Sequence, residues 1–264
     1  MPEGDTVKRV ASRLNEALGG AELVHADLRW PGISTASLTP STTVEVVARG
    51  KHLLHRLDSG WTIHSHLRMD GMWRVRDTSG FADLTNPAIR AVVASSSWTA
   101  IGWRLGMLDL VRTSEENTLI GHLGPDLLGD DWDASLAGGN LASDDSPIGA
   151  ALLDQTNLAG IGTLWCAETL FLEAVNPWTP ASALIPDKLE RIVARAHRLV
   201  TTNVAFAVQS STGIRRSGQE TYAHGRRRRP CRRCGTPIRM EMIGPPTRER
   251  TMYFCPTCQH VESG

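Results

Sequence analysis

The chain has 264 residues, enough for two modest domains, and its 41% hydrophobic and 21% charged residues are typical of a globular protein and exclude global disorder. No apolar run approaches the roughly 18 residues of a membrane span, and residues 1–10 are charged rather than apolar, so we expect a cytoplasmic protein. The net charge of zero hides a tail, residues 215–264, with eleven Arg and four Glu; such a basic tail suggests a polyanion partner, although a solvated Arg-rich face gives the same count.

The first predicted element is a helix over residues 5–18, with apolar residues at helical spacing, Asp5 as its N-cap and Gly19-Gly20 at its end. From residue 21 to about 112 the pattern changes to short runs that alternate with period two, among them 43–47, 51–57, 61–67 and 72–76. Turn signals such as Asp70-Gly71 separate these runs. This pattern predicts an antiparallel β-sandwich.

Gly and Asp accumulate over residues 121–147, where we expect an interdomain linker. Helices are predicted over 148–155, 163–174 and 186–208, and a short cysteine-rich module closes the chain. The predicted fold class is therefore α+β with several domains: a β-sandwich over 1–120, a helical domain over 148–221 and a β-hairpin module over 222–264.

Two pairs of cysteines dominate the last module. Cys231 and Cys234 form one CxxC pair, Cys255 and Cys258 form another, and twenty residues separate the pairs. This spacing is typical of a structural Zn²⁺ site with four thiolate ligands and no open position. Two disulfides are the alternative, which a cytosolic chain disfavours. The fifth cysteine, Cys166, lies in a helical stretch and is expected to be a buried thiol.

Two runs between the cysteine pairs predict a hairpin. Residues 236–243 and 248–254 are the predicted strands, and Gly244-Pro245-Pro246-Thr247 is the predicted turn. Period two places Arg248 and Arg250 on one face, where two guanidinium groups suit phosphate oxygens. Solvent-exposed arginines on a small ribbon are the alternative interpretation.

Four motifs, in order along the chain, carry a specific resemblance. They are Met1-Pro2-Glu3-Gly4, Arg49-Gly50-Lys51-His52-Leu53-Leu54, Asp154-Gln155 with Ala159-Gly160-Ile161-Gly162, and Arg250-Thr251-Met252-Tyr253-Phe254-Cys255. Together they resemble the formamidopyrimidine-DNA glycosylase/endonuclease VIII family over almost the whole chain. The sequence HLRMDGMWRV is closer to the endonuclease VIII branch.

This resemblance implies a DNA glycosylase with AP-lyase activity. Loss of Met1 would expose the secondary amine of Pro2, which in the family attacks C1′ of the damaged nucleoside and forms a Schiff base. By the same resemblance Glu3 protonates the sugar ring oxygen, Lys51 acts in β-elimination and Arg250 in δ-elimination. On Pro2 and Glu3 alone, an ordinary lead-in to a helix would be the better interpretation.

The resemblance also implies residues that hold the DNA. Residues 155–163 correspond to the link of a helix–two-turn–helix element, in which Gly160 and Gly162 let the backbone approach a phosphate. Thr163 stands where the family usually has Asn, which leaves fewer hydrogen-bond donors there. Met69 is the candidate wedge that fills the gap left by an extruded base, with Arg68 beside it, although a partly buried turn residue is as good an interpretation of Met69.

We therefore expect a monomer that binds damaged duplex DNA, and single strands as well, in a cleft between its two main domains, with one structural Zn²⁺. A non-catalytic DNA-binding or damage-sensing zinc protein on the same scaffold is the alternative. In the purine-preferring branch of the family a long loop before the zinc hairpin covers an oxidised guanine. Residues 210–220 are too few for such a cap, so we expect oxidised pyrimidines to be preferred.

Overall fold

The structure is a computed structural model that describes residues 2–80 and 84–260. Within them the chain forms two compact units, and the boundary lies between His122 and Leu123. None of the helices in this part of the chain is long and apolar enough to cross a membrane.

The N-terminal unit is an antiparallel β-sandwich with a leading helix. Its elements are α1 (Gly4–Leu18), β1 (Leu23–Leu28), β2 (Thr43–Arg49), β3 (His52–Leu57), β4 (Trp61–His66), β5 (Met72–Asp77), β6 (Ile89–Ser95), β7 (Trp98–Trp103), β8 (Met107–Arg112) and the short α2 (Asn117–Ile120). One four-stranded sheet has the order β1-β6-β7-β5 and the other has the order β2-β3-β4-β8. The prediction of a β-sandwich is confirmed.

Helix α1 packs on the sandwich because its apolar residues recur every three or four positions. Val7, Leu14 and Leu18 are at most 3% exposed and belong to the same apolar cluster as residues of both sheets. Each fully buried leucine stabilises the fold by roughly 1.5–3 kcal/mol. The helix begins one residue earlier than predicted, so Glu3 takes the N-cap position and Asp5, the expected cap, lies buried inside the first turn.

The C-terminal unit is a helical domain with a β-hairpin. Its elements are α3 (Ala134–Ala142), α4 (Ile148–Leu153), α5 (Thr163–Leu172), α6 (Pro186–Asn203), β9 (Arg239–Ile243) and β10 (Arg250–Phe254). Trp165 and Leu170 of α5 are fully buried in its core together with Met252 of the hairpin.

Residues 121–147, where a linker was expected, contain α3 and contribute to this core. The carboxylate of Asp133 caps α3 by accepting a hydrogen bond from the N–H of Leu136 at 2.9 Å. Ala137 and Leu141 are fully buried and belong to the main apolar cluster of the unit. The composition of this stretch resembles that of a loop because the turns around α3 are rich in Gly and Asp, and because α3 itself contains Gly138-Gly139.

Helix α6 ends at Asn203 rather than at residue 208 as predicted. The side-chain amide of Asn203 donates to the carbonyls of Leu199 and Ser210, and its oxygen accepts from the N–H of Ser210. These bonds satisfy backbone groups at the helix end and turn the chain away. The segment that follows α6 is therefore anchored at residue 210.

Candidate active site and metal centre

The start of α1 brings two predicted site residues together. Pro2 is half-buried and precedes Glu3, whose side chain is only 1% exposed. The carbonyl of Glu3 accepts from the N–H of Val7 at 3.0 Å, so the first helical turn fixes its backbone. A carboxyl group is thus held out of water beside the residue that carries the predicted amine.

Pro2 opens into a cleft of about 470 Å³ within the N-terminal unit. Helix α1 and the two loops that connect strands across the sandwich supply its walls. The lining residues are Pro2, Thr6, Val10, Leu67, Met69, Asp70, Gly71, Met72 and Arg104. Pro2 and the predicted wedge Met69 therefore share one cleft.

The turn between β4 and β5 presents Met69 to solvent. Met69 is 65% exposed, which is unusual for a large apolar side chain. Arg68 precedes it with φ of 52°, in the left-handed region that favours glycine. The N–H of Gly71 closes the turn on the carbonyl of Leu67 at 2.9 Å, and a Cβ on Gly71 would lie only 2.4 Å from that oxygen. Such a strained turn, which persists only where its surroundings fix it, is common at binding sites.

A second loop, between β7 and β8, reaches the same cleft. Arg104 lines the cleft and has φ of 45°, also in the left-handed region. A Cβ on Gly106 would approach the side chain of Arg68 to 2.6 Å, so glycine makes room for that arginine. The contact of Arg104 with the cleft depends on how strands of different sheets are connected, which the local sequence does not determine.

Lys51 lies at the tip of the β2–β3 hairpin. Arg49 and His52 pair across the hairpin, and Gly50 has φ of 56°, as a two-residue turn requires at its first position. Lys51 is half-buried and is not among the residues that line the cleft of Pro2. Its charge helps to lower the pKa values of both His52 and His66, so it lies close to these rings.

These rings belong to a group that the sequence analysis missed, which we call the histidine array: His52, His64, His66 and Asp109. Nδ1 of His52 lies 2.8 Å from Nε2 of His64, and Nδ1 of His64 lies 3.0 Å from a carboxylate oxygen of Asp109. Burial, and then neighbouring positive groups, lower the pKa of His52 to about 3 and that of His66 to about 4. The crowding of four histidines into residues 52–66 was the available signal.

The link between α4 and α5 has the predicted backbone features. Gly160 has φ of 100°, and its N–H donates to the side-chain oxygen of Gln155 at 3.0 Å. Gly162 is the N-cap of α5 in extended conformation, and Thr163 is the first helical residue, only 6% exposed. The first turn of a helix with such a lead-in can bind an anion through its backbone N–H groups.

The four cysteines of the C-terminal module lie together. All four sulfur atoms lie within 4.8 Å of one another, with 3.9 Å between Cys231 and Cys258 and 3.5 Å between Cys234 and Cys255. A tetrahedron with metal–sulfur bonds of about 2.3 Å has edges of about 3.8 Å, whereas a disulfide needs about 2.05 Å. The cluster therefore fits a metal ion, and no other group of ligands in the described residues is close enough to hold one.

The hairpin tip differs from the prediction. Strand β10 begins at Arg250, which pairs with Ile243, so Arg248 lies in the turn and does not share a strand face with Arg250. Pro245 and Pro246 lengthen the turn because proline has no N–H for the ladder. Arg250 is exposed, and its Nη1 donates to the carbonyl of Glu249 at 3.1 Å, which keeps the guanidinium group at the tip.

Glu168 of α5 is a second residue that the sequence analysis missed. Its carboxylate is fully buried and accepts hydrogen bonds from the backbone N–H groups of Tyr222, Ala223 and His224 at 2.7–2.8 Å, and from the hydroxyl of Ser211. Burial raises its pKa, although these donors oppose the shift. Glu168 thus organises both ends of the segment that leads to the cysteine module.

Comparison with known proteins agrees with these observations along the whole chain. Residues 1–98 match the formamidopyrimidine-DNA glycosylase N-terminal domain, and residues 123–215 match the formamidopyrimidine-DNA glycosylase H2TH domain. The structure of the Lactococcus lactis formamidopyrimidine-DNA glycosylase bound to AP-site DNA superposes with a TM-score of 0.82, at 22% identity, over 98% of this chain and 100% of that one.

Two curated bacterial relatives are closer in sequence. The chain is 47% identical to a probable endonuclease 8 2 of Streptomyces coelicolor, over 98% of this chain and 94% of the relative. It is 40% identical to the DNA-(apurinic or apyrimidinic site) lyase Nei2 of Mycolicibacterium smegmatis, over 98% and 99% of the two chains. The predicted resemblance is thereby confirmed: the chain belongs to the formamidopyrimidine-DNA glycosylase/endonuclease VIII family.

Proposed function

We propose that this chain is an endonuclease VIII-like DNA glycosylase and AP lyase of base excision repair, which removes an oxidised base and then cuts the strand. The observation that carries this proposal is the position of Pro2, which lines a cleft next to the buried Glu3 and opposite the exposed Met69. The names of the relatives that are 40–47% identical support the same class of enzyme.

The first step requires the amine of Pro2. Once Met1 is removed, the proline nitrogen forms a bond to C1′ and loses its proton, and the base leaves with the electron pair of the glycosidic bond and takes up that proton. Glu3 gives a proton to the sugar ring oxygen as the bond between this oxygen and C1′ breaks and the ring opens. The product is an iminium ion between Pro2 and the sugar. A carboxyl group that is 1% exposed and directly follows Pro2 is placed to deliver this proton out of contact with bulk water.

The iminium ion makes the proton on C2′ acidic, which permits strand cleavage. We assign Lys51 to the β-elimination, in which the C2′ proton is lost and the 3′ phosphate leaves. Arg250 would assist the δ-elimination, in which the 5′ phosphate leaves, by neutralising the departing oxygen. Both cations suit phosphate, and they stand at the tips of two separate hairpins.

Several other side chains would hold the DNA. We propose that Met69 enters the base stack where the damaged nucleotide is extruded, because 65% of the surface of this large apolar side chain is exposed at the edge of the cleft. Arg68 would face the orphaned base. Gly162 and Thr163 would bind a backbone phosphate at the N-terminus of α5, and Arg248 would bind another at the hairpin turn.

The metal that best fits the four thiolates is Zn²⁺, in a structural role. Four sulfur ligands leave no open position for a substrate or water. The ion would hold together the two turns from which the β9–β10 hairpin extends. Its contribution to the reaction is then to keep Arg248 and Arg250 on a folded support.

We propose that oxidised pyrimidines are preferred to 8-oxoguanine. The segment from Ser210 to Glu220 is closed on itself, since the N–H of Ser211 donates to the carbonyl of Glu220 at 2.9 Å. Such a short closed segment offers little chain to cover a flipped purine, and each lost contact costs about 1–3 kcal/mol. Single-turnover excision from matched duplexes and single strands measures this; faster removal of 8-oxoguanine opposite cytosine than of any oxidised pyrimidine would contradict it.

Borohydride trapping on DNA with an abasic site tests the proposed reaction. Protein whose intact mass shows the loss of Met1 should give a covalent adduct. Pro2→Gly and a variant with one residue added before Pro2 should each lower adduct formation by at least about a hundredfold, because neither presents a secondary amine. Ser12→Ala, on the exposed face of α1, is the matched control and should trap normally.

Two outcomes would contradict the proposal. If protein that retains Met1 cleaves abasic DNA as fast as the processed form, the assignment of Pro2 is wrong. If processed protein binds abasic DNA tightly but gives neither adduct nor cleavage, the chain is a DNA-binding protein without catalysis.

A further inference from the structure

The histidine array lies on the face of its sheet that points away from the apolar core. Leu53 of β3 and Leu108 of β8 belong to the core of the sandwich. Because side chains alternate along a strand, His52 and Asp109, their direct neighbours, lie on the opposite face. His64 of β4 pairs directly with Asp109 across the sheet and has no exposed surface.

The segment after β8 folds back over this outer face. Glu116 accepts from Nη2 of Arg56 at 2.7 Å and from the hydroxyl of Thr62 at 2.6 Å, and both of these residues lie on the outer face. Glu116 itself is 7% exposed. Glu116 therefore covers the end of this face at Arg56 and Thr62, whereas His52, His66 and the side chain of Asp109 stay partly exposed and only His64 is fully buried.

The hydrogen bonds define which nitrogen of each ring carries the proton. A carboxylate only accepts, so Nδ1 of His64 donates to Asp109 and Nε2 of neutral His64 is an acceptor. Nδ1 of His52 must then donate to His64, which leaves Nε2 of His52 without a proton. Burial, which lowers the pKa of His64, keeps this ring neutral as well.

The array ends beside two elements of the proposed site. His52 directly follows Lys51, and its ring meets the edge of the His66 ring at a centroid distance of 5.1 Å. Nδ1 of His66 accepts from the backbone N–H of Arg68 at 2.9 Å, in the strained turn that presents Met69. One set of contacts therefore joins the hairpin tip to the wedge turn.

One fully buried imidazole, two half-buried ones and a carboxylate are a costly way to fill this face, since apolar side chains would need no hydrogen bonds. We infer that Asp109 and His64 are positioning residues that fix His52 as a neutral ring with an unprotonated Nε2 beside Lys51. This inference rests on the role proposed above for Lys51. It predicts that the array acts on the elimination step and not on the attack by Pro2.

The charged and titratable neighbours that bear on a pH-dependent test come from several elements. Lys51, His66 and His122 face His52, and Arg68 faces His66. Asp109 and Glu116 face His64. All kinetic comparisons are therefore made at one pH, near 7.5, where the three imidazoles are neutral.

The test uses full-length, zinc-loaded protein without Met1 on duplex DNA with an abasic site. Asp109→Leu removes the acceptor and keeps the branched shape of the side chain, whereas Asp109→Asn keeps an acceptor oxygen without the charge. We expect Asp109→Leu to slow β-elimination about tenfold while borohydride trapping changes less than twofold, and Asp109→Asn to recover most of the rate. His55→Gln changes a buried histidine of β3 outside the array and should leave both steps unchanged.

A spectroscopic readout keeps the inference testable if Asp109→Leu folds poorly. Long-range ¹⁵N–¹H correlation spectra of the wild type should show His52 and His64 protonated only at Nδ1, and His66 only at Nε2. A proton on Nε2 of His64 would overturn the inference, as would equal slowing of trapping and elimination in a folded Asp109 variant. If the wild type neither traps nor cleaves, the proposed function fails, whereas the spectra still decide the array.

Discussion

The N-terminal unit gathers His52, His64 and His66 around one another, and the C-terminal unit gathers four cysteines within 4.8 Å. Both groups crowd titratable side chains into little space. The imidazoles remain neutral: His52 donates a hydrogen bond to His64, and His64 donates one to Asp109. Thiolates cannot do this, because four negative sulfur atoms at 3.5–3.9 Å repel unless a cation lies between them.

The difference teaches which parts of the protein can fold alone. Hydrogen bonds hold the histidine array together without a metal ion, so we expect the β-sandwich to position Pro2, Glu3 and Lys51 without a bound ligand. The apolar residues of the hairpin that carries Arg250 pack mainly on other elements: Met252 and Ile243 reach the core of the helical domain, and Ile238 clusters with Phe171 of α5 and with the cysteines. The geometry of the hairpin therefore depends on metal, and the two units should respond differently to chelators and to acid.

The largest expected effect is the loss of the metal. Cys231→Ser should release zinc and unfold the hairpin, because binding of a structural Zn²⁺ supplies on the order of 10 kcal/mol of folding free energy. DNA binding should weaken by roughly a hundredfold as the hairpin arginines lose their support. Metal analysis by mass spectrometry, hydrogen exchange of β9–β10 and a binding titration measure these changes.

The matched control is Cys166→Ser, which changes a buried cysteine outside the cluster whose Sγ lies 3.4 Å from the carbonyl of Gly149. It should keep one zinc per chain and normal DNA affinity. Strands β3 and β4 should stay protected from exchange in both variants. Normal DNA binding after complete removal of zinc would show that the fold of the hairpin does not depend on the metal.

The metal cluster could be predicted from the sequence, and the histidine array could not, for a physical reason. Each CxxC pair forms within one tight turn, so the spacing of Cys231 and Cys234 already places two ligands together. The array arises from pairing between strands: His64 meets Asp109 only because β4 and β8 are neighbours with that register. Nothing in the local sequence determines such a register.

The same distinction applies to the rest of the molecule. Periodicity predicted α1 and most strands of the sandwich, because each depends on residues close together in the chain. The cleft of Pro2 also needs Arg104, which comes from a loop between strands of different sheets. Helix α3 escaped prediction because packing by Ala137 and Leu141 outweighs the poor helix propensity of Gly138-Gly139.

Acid should cause the next largest effect, and it should act on the N-terminal unit. Burial lowers the pKa of His55 from 6.5 to about 4, and burial of His52 together with nearby positive groups lowers the pKa of His52 to about 3. Between about pH 6.5 and 4 the unfolded chain therefore binds more protons than the folded one. The free energy of unfolding is therefore highest above pH 6.5 and falls as the pH drops. His55 alone should account for a loss of roughly 2 kcal/mol between pH 7 and 5.

Hydrogen exchange of β3 and β4 at pH 7, 6 and 5, with zinc in excess, measures this loss. His55→Gln, which can still bond to Thr43, should reduce the dependence on pH. His25→Asn, on the exposed side of β1, should leave it unchanged. An identical dependence in the wild type and His55→Gln would show that the buried imidazole is not the source.

The smallest expected effect comes from removing one arginine of the hairpin while the metal site stays intact. Arg250→Ala removes one exposed guanidinium group at the hairpin tip and leaves all four thiolates and the β9–β10 register in place. Zinc content and hairpin protection should stay normal, unlike those of Cys231→Ser. DNA affinity should fall about tenfold, because a charge-assisted hydrogen bond contributes about 1.5–3 kcal/mol. The dependence of affinity on salt should decrease by about one released ion. The product of β-elimination should accumulate at the expense of the δ-product, as resolved on a denaturing gel.

Arg239→Ala removes the same charge from the other end of the hairpin, where Arg239 pairs with Phe254, and is the matched control. It should leave the ratio of the two products unchanged, since only the tip would reach the phosphates that flank the lesion. An equal ratio of products in Arg250→Ala and the wild type would show that Arg250 takes no part in δ-elimination. The hairpin would then contribute only electrostatic binding of DNA.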